Sequence, residues 1–292
     1  MAGLTFGIQT PPFHDWPRMI ADWQRFEALG WDSLWLPDHF VPTFRRDLPF
    51  FEAWTLLSAL AMTTDRVRIG VLVSCNTFRH PALLAKQAAT VDHISHGRLE
   101  VGLGTGWVEF EHTMFGIEYP DNAERVDRFG EAVQVLDLLL RNEVSSFVGE
   151  HYRLDGATFR PAPIQKPRPP LTLAAHGPKM LRLIAPYVDR WNSMGSPAEM
   201  GERGQRLDEA LVAAGRDPES VVKSVLYVPS VTPDEDPWAS VDAFEDFVSR
   251  YRKQGVRDFI FQPAHAPLDL IERVSHEVLP SLRKHLDILP PQ

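Results

Sequence analysis

The sequence predicts a (β/α)8 TIM barrel with an insertion between its fourth and fifth strands, and three observations lead there. Short apolar runs alternate with longer amphipathic ones eight times along 292 residues, the rhythm of parallel strands joined by helices. The strand-like runs are nearly continuous Val, Ile and Leu instead of alternating with polar residues, as expected of strands covered on both faces. The length also suits a barrel, read here as one domain over residues 1–292, better than a doubly wound sheet.

The elements follow in order. LTFGIQT (4–10) is the first strand, and MIADWQRFEALG (19–30) the first helix, with Ile20, Trp23, Phe26 and Ala28–Leu29 on one face and Gly30 as its stop. SLWLPDHF (33–40) and FEAWTLLSALAMTT (51–64) form the second unit. VRIGVLVSC (67–75) and PALLAKQAATVDHIS (81–95) form the third, with Pro81 suited to a first helical turn. RLEVGLGT (98–105) is the fourth strand. The stretch VEFEHTMFG after it carries neither an apolar face nor a cap, so no helix is expected before AERVDRFGEAVQVLDLLLRN (123–142). Residues 143–170 are the insertion, hairpin-like around YRLDGATF and then proline-rich, and expected to lie across the barrel mouth. LTLAAHG (171–177), RWNSM (190–194), VKSVLYVPSV (222–231) and DFIFQPA (258–264) are the remaining strands. Their helices are 178–188, 197–215, 238–255 and 267–285.

Composition excludes several classes of function. A formal net charge of -9 argues against nucleic acid as a partner, because a phosphate backbone needs clustered Lys and Arg. The single cysteine rules out intrachain disulfides and four-cysteine zinc sites, and suits a reducing cytoplasm. No signal peptide is visible at the N-terminus, and no apolar run approaches the roughly 20 residues that span a bilayer. Neither H-x-H nor H-E-x-x-H appears, so no metal site is expected, and G-x-S-x-G and Walker A patterns are absent too.

In a barrel, chemistry collects at the C-terminal ends of strands. Those ends read PDHF (37–40), SCNTFRHP (74–81), GTGW (104–107), AAHGPK (174–179), NSMG (192–195), VPSV (228–231) and QPAH (262–265). GLGTGW misses the dinucleotide fingerprint, since Trp107 stands where G-x-G-x-x-G needs its third glycine. Gly104, Thr105 and Gly106 either leave room for a planar ring or relieve crowding between strands. His39, next to Asp38, is either a titratable imidazole at a ligand's reactive edge or a satisfied structural hydrogen bond. His80, His93 and Cys75 read as structural. Gly177, before Pro178, reads as a phosphate-binding helix start supported by Lys179 and Arg182, or as an ordinary turn.

Taken in order, LGWDSLWLPDHF, VRIGVLVSCNTFRHPALLAKQAATVDHISHGRLEVGLGTGW, YRLDGATFRPAPIQKPRPPLTLAAHG and DRWNSMG resemble the bacterial-luciferase-like family of flavin and deazaflavin oxidoreductases. The DHF run is most similar to the subgroup that uses the deazaflavin coenzyme F420. The resemblance implies hydride exchange with a small-molecule substrate, His39 as the catalytic residue by the reacting ring, and orientation of His39 by neighbours such as Asp38. It implies a cofactor site built from Asp38, Ser74, Cys75, Asn76, Gly104, Thr105, Gly106, Ala175, His176, Gly177, Pro178, Asn192 and Met194. It also implies a non-proline cis peptide near Ser74–Cys75, and leaves room for a homodimer. Where the sugar-phosphate dehydrogenase branch carries a glutamate after GTG, this chain has Trp107, which points to an apolar substrate wall, and neither Glu109 nor Glu111 is assigned to catalysis. Two alternatives stay open. One is a monooxygenase using flavin mononucleotide (FMN) with a separate reductase partner, and the other is a member that binds ligand without catalysis.

Overall fold

The structure, a computed structural model, describes residues 3–10, 12–43, 45–263 and 266–284. Its strands are β1 (Thr5–Gln9), β2 (Ser33–Leu36), β3 (Arg68–Val71), β4 (Ser74–Cys75), β5 (Leu99–Gly104), β6 (Val144–Val148), β7 (Arg153–Thr158), β8 (Leu171–Ala174), β9 (Arg190–Ser193), β10 (Val222–Tyr227) and β11 (Asp258–Phe261). The helices are α1 (Trp16–Ala28), α2 (Ala53–Thr63), α3 (Pro81–Ile94), α4 (Glu109–Phe115), α5 (Asn122–Arg141), α6 (Pro178–Ile184), α7 (Pro197–Ala213), α8 (Val241–Arg252), α9 (Leu268–Arg273) and α10 (Leu279–Lys284). All strands but β6 and β7 pair in parallel, in the order β3-β2-β1-β11-β10-β9-β8-β5-β4, and the β3–β5 pairing closes the ring. With β3 and β4 as two parts of one stave, this is a closed eight-stave barrel, as the apolar rhythm predicts.

Local chemistry sets the helix ends. Side chains of Asp15, Glu52, His80, Asp121, Ser196 and Ser240 each accept a backbone N–H of a first turn. Gly30, at φ 86°, stops the first helix in a conformation that glycine adopts without strain.

The barrel interior has two layers. At the N-terminal ends of the strands lies a buried charge network. Glu100 pairs with Arg68 (2.6 Å) and Arg190 (2.9 Å), Arg190 with Asp258 (2.9 Å), and the hydroxyls of Thr5 and Ser224 donate to Asp258. Above it, Trp35, Leu72, Leu226 and Ile260 form a separate apolar cluster against which Val73, Met194 and Val228 pack. Gly70 makes room for the indole, because a Cβ there would lie 2.5 Å from Cζ3 of Trp35. The larger core lies between the strands and the surrounding helices.

Several expectations need correction. The run 67–75 is not one strand: it breaks between β3 and β4, and the break holds the expected non-proline cis peptide, Leu72–Val73, just before Ser74–Cys75. The stretch after β5 does form a helix, α4. It has no side-chain cap at its start, and the residues it buries are Glu111 and His112, so neither usual signal marks it. The second, tenth and eleventh strands end sooner than expected, at Leu36, Tyr227 and Phe261. The last helical run passes through a π turn at Val274–Val278. The insertion lies beside the mouth and not across it: its turn touches the loop after β4, where Asn76 Nδ2 donates to the Tyr152 hydroxyl (3.4 Å). Its hairpin is β6 with β7, so RLDGAT is a strand and the turn is at 149–152, where Glu131 of α5 accepts the N–H groups of Glu150, His151 and Tyr152. The prolines then follow α3, with Lys86 donating to the Arg160 carbonyl and Asp92 holding Gln165. Arg168 bonds Asp137 and Asp189 beside the start of β9. The insertion therefore packs along the outer wall.

Candidate active site

β2 ends at Leu36, and the loop that follows brings His39 to the mouth. Its Nδ1 lies 2.7 Å from Oε2 of Glu111, a fully buried carboxylate on α4. The other carboxylate oxygen accepts the N–H groups of Phe40 (2.7 Å) and Val41 (3.2 Å). Burial pushes the Glu111 carboxyl up, but the His39 ring and these two amides outweigh it and hold the group below its ordinary range. Held ionised, the Glu111 carboxylate has acceptor sites only, two taken by backbone amides and one facing Nδ1 of His39. Nε2 of His39 has no partner among the described residues. The rings of Phe50 (6.4 Å) and Trp107 (6.2 Å) stand edge-on to the imidazole.

Asp38 does not orient His39. Its carboxylate is occupied by the Arg79 guanidinium, through both nitrogens, and by the Cys75 N–H. Arg79 also reaches Glu52, the cap of α2, so this group ties together the loops after β2 and β4. Cys75 is buried against Thr77, and burial pushes its thiol up to about 12, which excludes a thiolate nucleophile. Ser74 turns its hydroxyl to the Trp54 indole N–H. Asn76 donates its backbone N–H to Gly104, while its side-chain Oδ1 is buried without a hydrogen-bond partner.

The glycines divide. A Cβ at Gly102 would overlap the Val71 carbonyl oxygen, and one at Gly104 would lie 2.7 Å from a Val73 methyl. Both positions serve strand packing, so the room at Gly104 is taken by protein. Gly106 is at φ 81°, with Cys75 Sγ and Thr77 Oγ1 close to where a Cβ would stand. Thr105 makes one long contact, 3.4 Å to the Gly106 carbonyl. Trp107 is 70% exposed on the lip.

At the end of the neighbouring strand, β8, Ala175 is buried and His176 opens to solvent. Surrounding protein and the nearby Arg203 guanidinium lower the His176 pKa. Gly177 faces open space, and α6 starts at Pro178 without a side-chain cap. Lys179 is paired with Asp127 (2.5 Å), and Arg182 lies in the last turn of α6, so neither adds charge at the helix start as expected. Asn192 bonds Ser224 inside the barrel and belongs to the buried network. Met194 packs on the Trp35 layer, and its carbonyl accepts from Arg203. His265, in the last strand end, lies outside the described residues. His80 and His93 are structural: one caps α3, and the other contacts the Ala162 carbonyl. Sequence reasoning missed Arg79, Glu111, Arg203 and Gln9, whose Nε2 donates to the Leu72 carbonyl. Of these only Glu111 stood out in the sequence, as a carboxylate after GTGW to which no catalytic role was assigned.

A family model described as luciferase-like monooxygenase matches residues 4–274. The chain is 27% identical to an F420-dependent glucose-6-phosphate dehydrogenase of Microbacterium testaceum, over 96% of this chain and 98% of that one. It is 30% identical to a phthiodiolone/phenolphthiodiolone dimycocerosates ketoreductase of Mycobacterium tuberculosis, over 77% of this chain and 65% of that one. Among solved structures, an F420-dependent secondary alcohol dehydrogenase in complex with an F420-acetone adduct superposes with a TM-score of 0.82. It is 22% identical and covers 97% of this chain and 100% of its own.

Proposed function

Since the chain belongs to the luciferase-like monooxygenase family, we propose that it is an oxidoreductase exchanging hydride between the deazaflavin coenzyme F420 and a small organic substrate. Its likeness over nearly full length to an F420-dependent dehydrogenase supports this choice within the family. The observation that carries the reading is His39, with Nδ1 committed to a buried carboxylate and Nε2 left without a partner among the described residues at the mouth of a barrel.

The residues present fit such a cofactor. Asn76 offers a buried oxygen that still lacks a donor, as a ring N–H could supply. Gly177 and the uncapped start of α6 offer bare N–H groups in open space to an anionic tail. When bound, the deazaflavin supplies the hydride donor or acceptor and, lacking the N5 nitrogen of a flavin, reacts poorly with oxygen. His39 manages the proton. In the oxidative direction Nε2 takes the proton of a substrate hydroxyl as the carbon–hydrogen bond yields hydride and the carbonyl forms. In reduction the same nitrogen returns it. Trp107 and Phe50 flank that nitrogen's ring and give the substrate an apolar wall.

Fluorescence titration with each cofactor tests the reading. Binding of F420 on the order of micromolar, with clearly weaker binding of FMN, is expected. Tighter binding of FMN would move the assignment to an FMN-dependent monooxygenase, the reading that the family description raises.

A further inference from the structure

The short helix α4 is held more firmly than its seven residues would hold themselves. Its His112 is buried, bonded through Nδ1 to the Val108 carbonyl (2.8 Å) and through Nε2 to the Thr77 hydroxyl (2.6 Å). A carbonyl only accepts, so this ring carries its proton on Nδ1 and Thr77 donates to Nε2. Phe115 packs on Phe40 (4.7 Å), which packs on Phe78 (4.5 Å), and Gly116 ends the helix at φ 66°. The helix is thus fastened to the loop after β4 on one side and to the loop after β2 on the other. Between these fastenings it presents one buried carboxylate to His39 and to the two amides that follow it.

We infer that Glu111 is the positioning residue for His39, fixing the imidazole with its proton on Nδ1 and its lone pair on Nε2. The inference rests on the role given to His39 above and assigns the group that makes that role work. A neutral imidazole has two tautomers, and only one offers Nε2 as a base. The amide bonds of Phe40 and Val41 leave Glu111 little freedom to turn, so its second oxygen is committed to Nδ1. When His39 gains a proton, the same carboxylate faces the resulting imidazolium with no water between them at 2.7 Å.

Glu111→Gln separates this role from mere support of the helix. The carbonyl of glutamine can keep the two backbone N–H groups, and its NH2 then meets Nδ1. That geometry turns the histidine into the tautomer with its proton on Nε2. The measurement is nitrogen NMR of the histidine-labelled protein, which tells a protonated ring nitrogen from an unprotonated one and needs neither cofactor nor substrate. In the wild type His39 should carry its proton on Nδ1, and in Glu111→Gln on Nε2. Turnover of the variant should fall about 10²-fold or more with KM nearly unchanged, and Glu111→Asp should restore part of it while keeping the wild-type tautomer. A wild-type His39 protonated on Nε2, or a tautomer unmoved by Glu111→Gln, overturns the inference. Failure of the functional reading would show differently, as a wild type with the Nδ1 proton in place and no F420-linked turnover.

Discussion

Glu100 gives the sharpest test of how the barrel floor is held. It is wholly buried, and burial pushes its carboxyl up, but the Arg190 and Arg68 guanidinium groups outweigh burial and hold it at about 2. Against an ordinary value of 4.5, at about 1.4 kcal/mol per pH unit, the ionised group contributes about 3 kcal/mol to stability. The sign is that of a depressed acid: the contribution is complete above about pH 4.5 and is lost as the pH falls from there towards 2. Glu100→Gln removes the charge, so Arg68 loses its carboxylate and Arg190 keeps only Asp258. Unfolding entropy of about 2 cal/mol/K per residue makes 3 kcal/mol worth about 5 °C in a chain of 292 residues. Thermal unfolding followed by circular dichroism from pH 7 to pH 3 should show the variant melting about 5 °C lower at neutral pH. The gap should narrow below pH 4.5 as the wild type loses the same contribution. Equal melting temperatures at pH 7, or a gap that does not change with pH, would refute the reasoning.

Three further outcomes are expected. His39→Ala should lower turnover per folded molecule by about 10²-fold or more, with a smaller change in cofactor affinity; normal turnover would remove its catalytic role. Gly102→Ala puts a methyl into the Val71 carbonyl, a backbone atom that cannot move aside, and should cost at least 1–3 kcal/mol in a denaturation curve. Gly177→Val adds side chain to open space, so its melting temperature should stay put while affinity for the deazaflavin drops; unchanged affinity would place the anionic tail elsewhere.

The barrel was legible because burial on both faces writes itself into strands such as LEVGLG and DFIF, and because Gly30 and Pro81 stand where helices stop and start. The strand ends were legible as a group for the same reason. What the chain does with them was not, because a side chain's direction depends on partners far away in sequence. Asp38 and His39 are neighbours, yet one turns to Arg79 and the other to Glu111, 72 residues on. Asn192 points into the barrel because Ser224 is there to receive it. The helix α4 escaped notice because tertiary hydrogen bonds to Glu111 and His112, not periodicity or a cap, hold it in place. The path of the insertion was hidden likewise: proline content excludes regular structure but says nothing of the Asp92, Asp137 and Asp189 carboxylates that hold it to the wall.

The two filled layers beneath the mouth also bear on kinetics. Among the described residues, Trp35 and its apolar neighbours lie above a network of paired charges, so the barrel is filled beneath the mouth where His39 stands. Two ligands sharing that mouth cannot come and go independently. Were one to lie beneath the other, it would have to arrive first and depart last, so the order of addition would follow from the architecture and not from affinity. An excess of the outer ligand would then trap the inner one, a behaviour that steady-state inhibition patterns report directly.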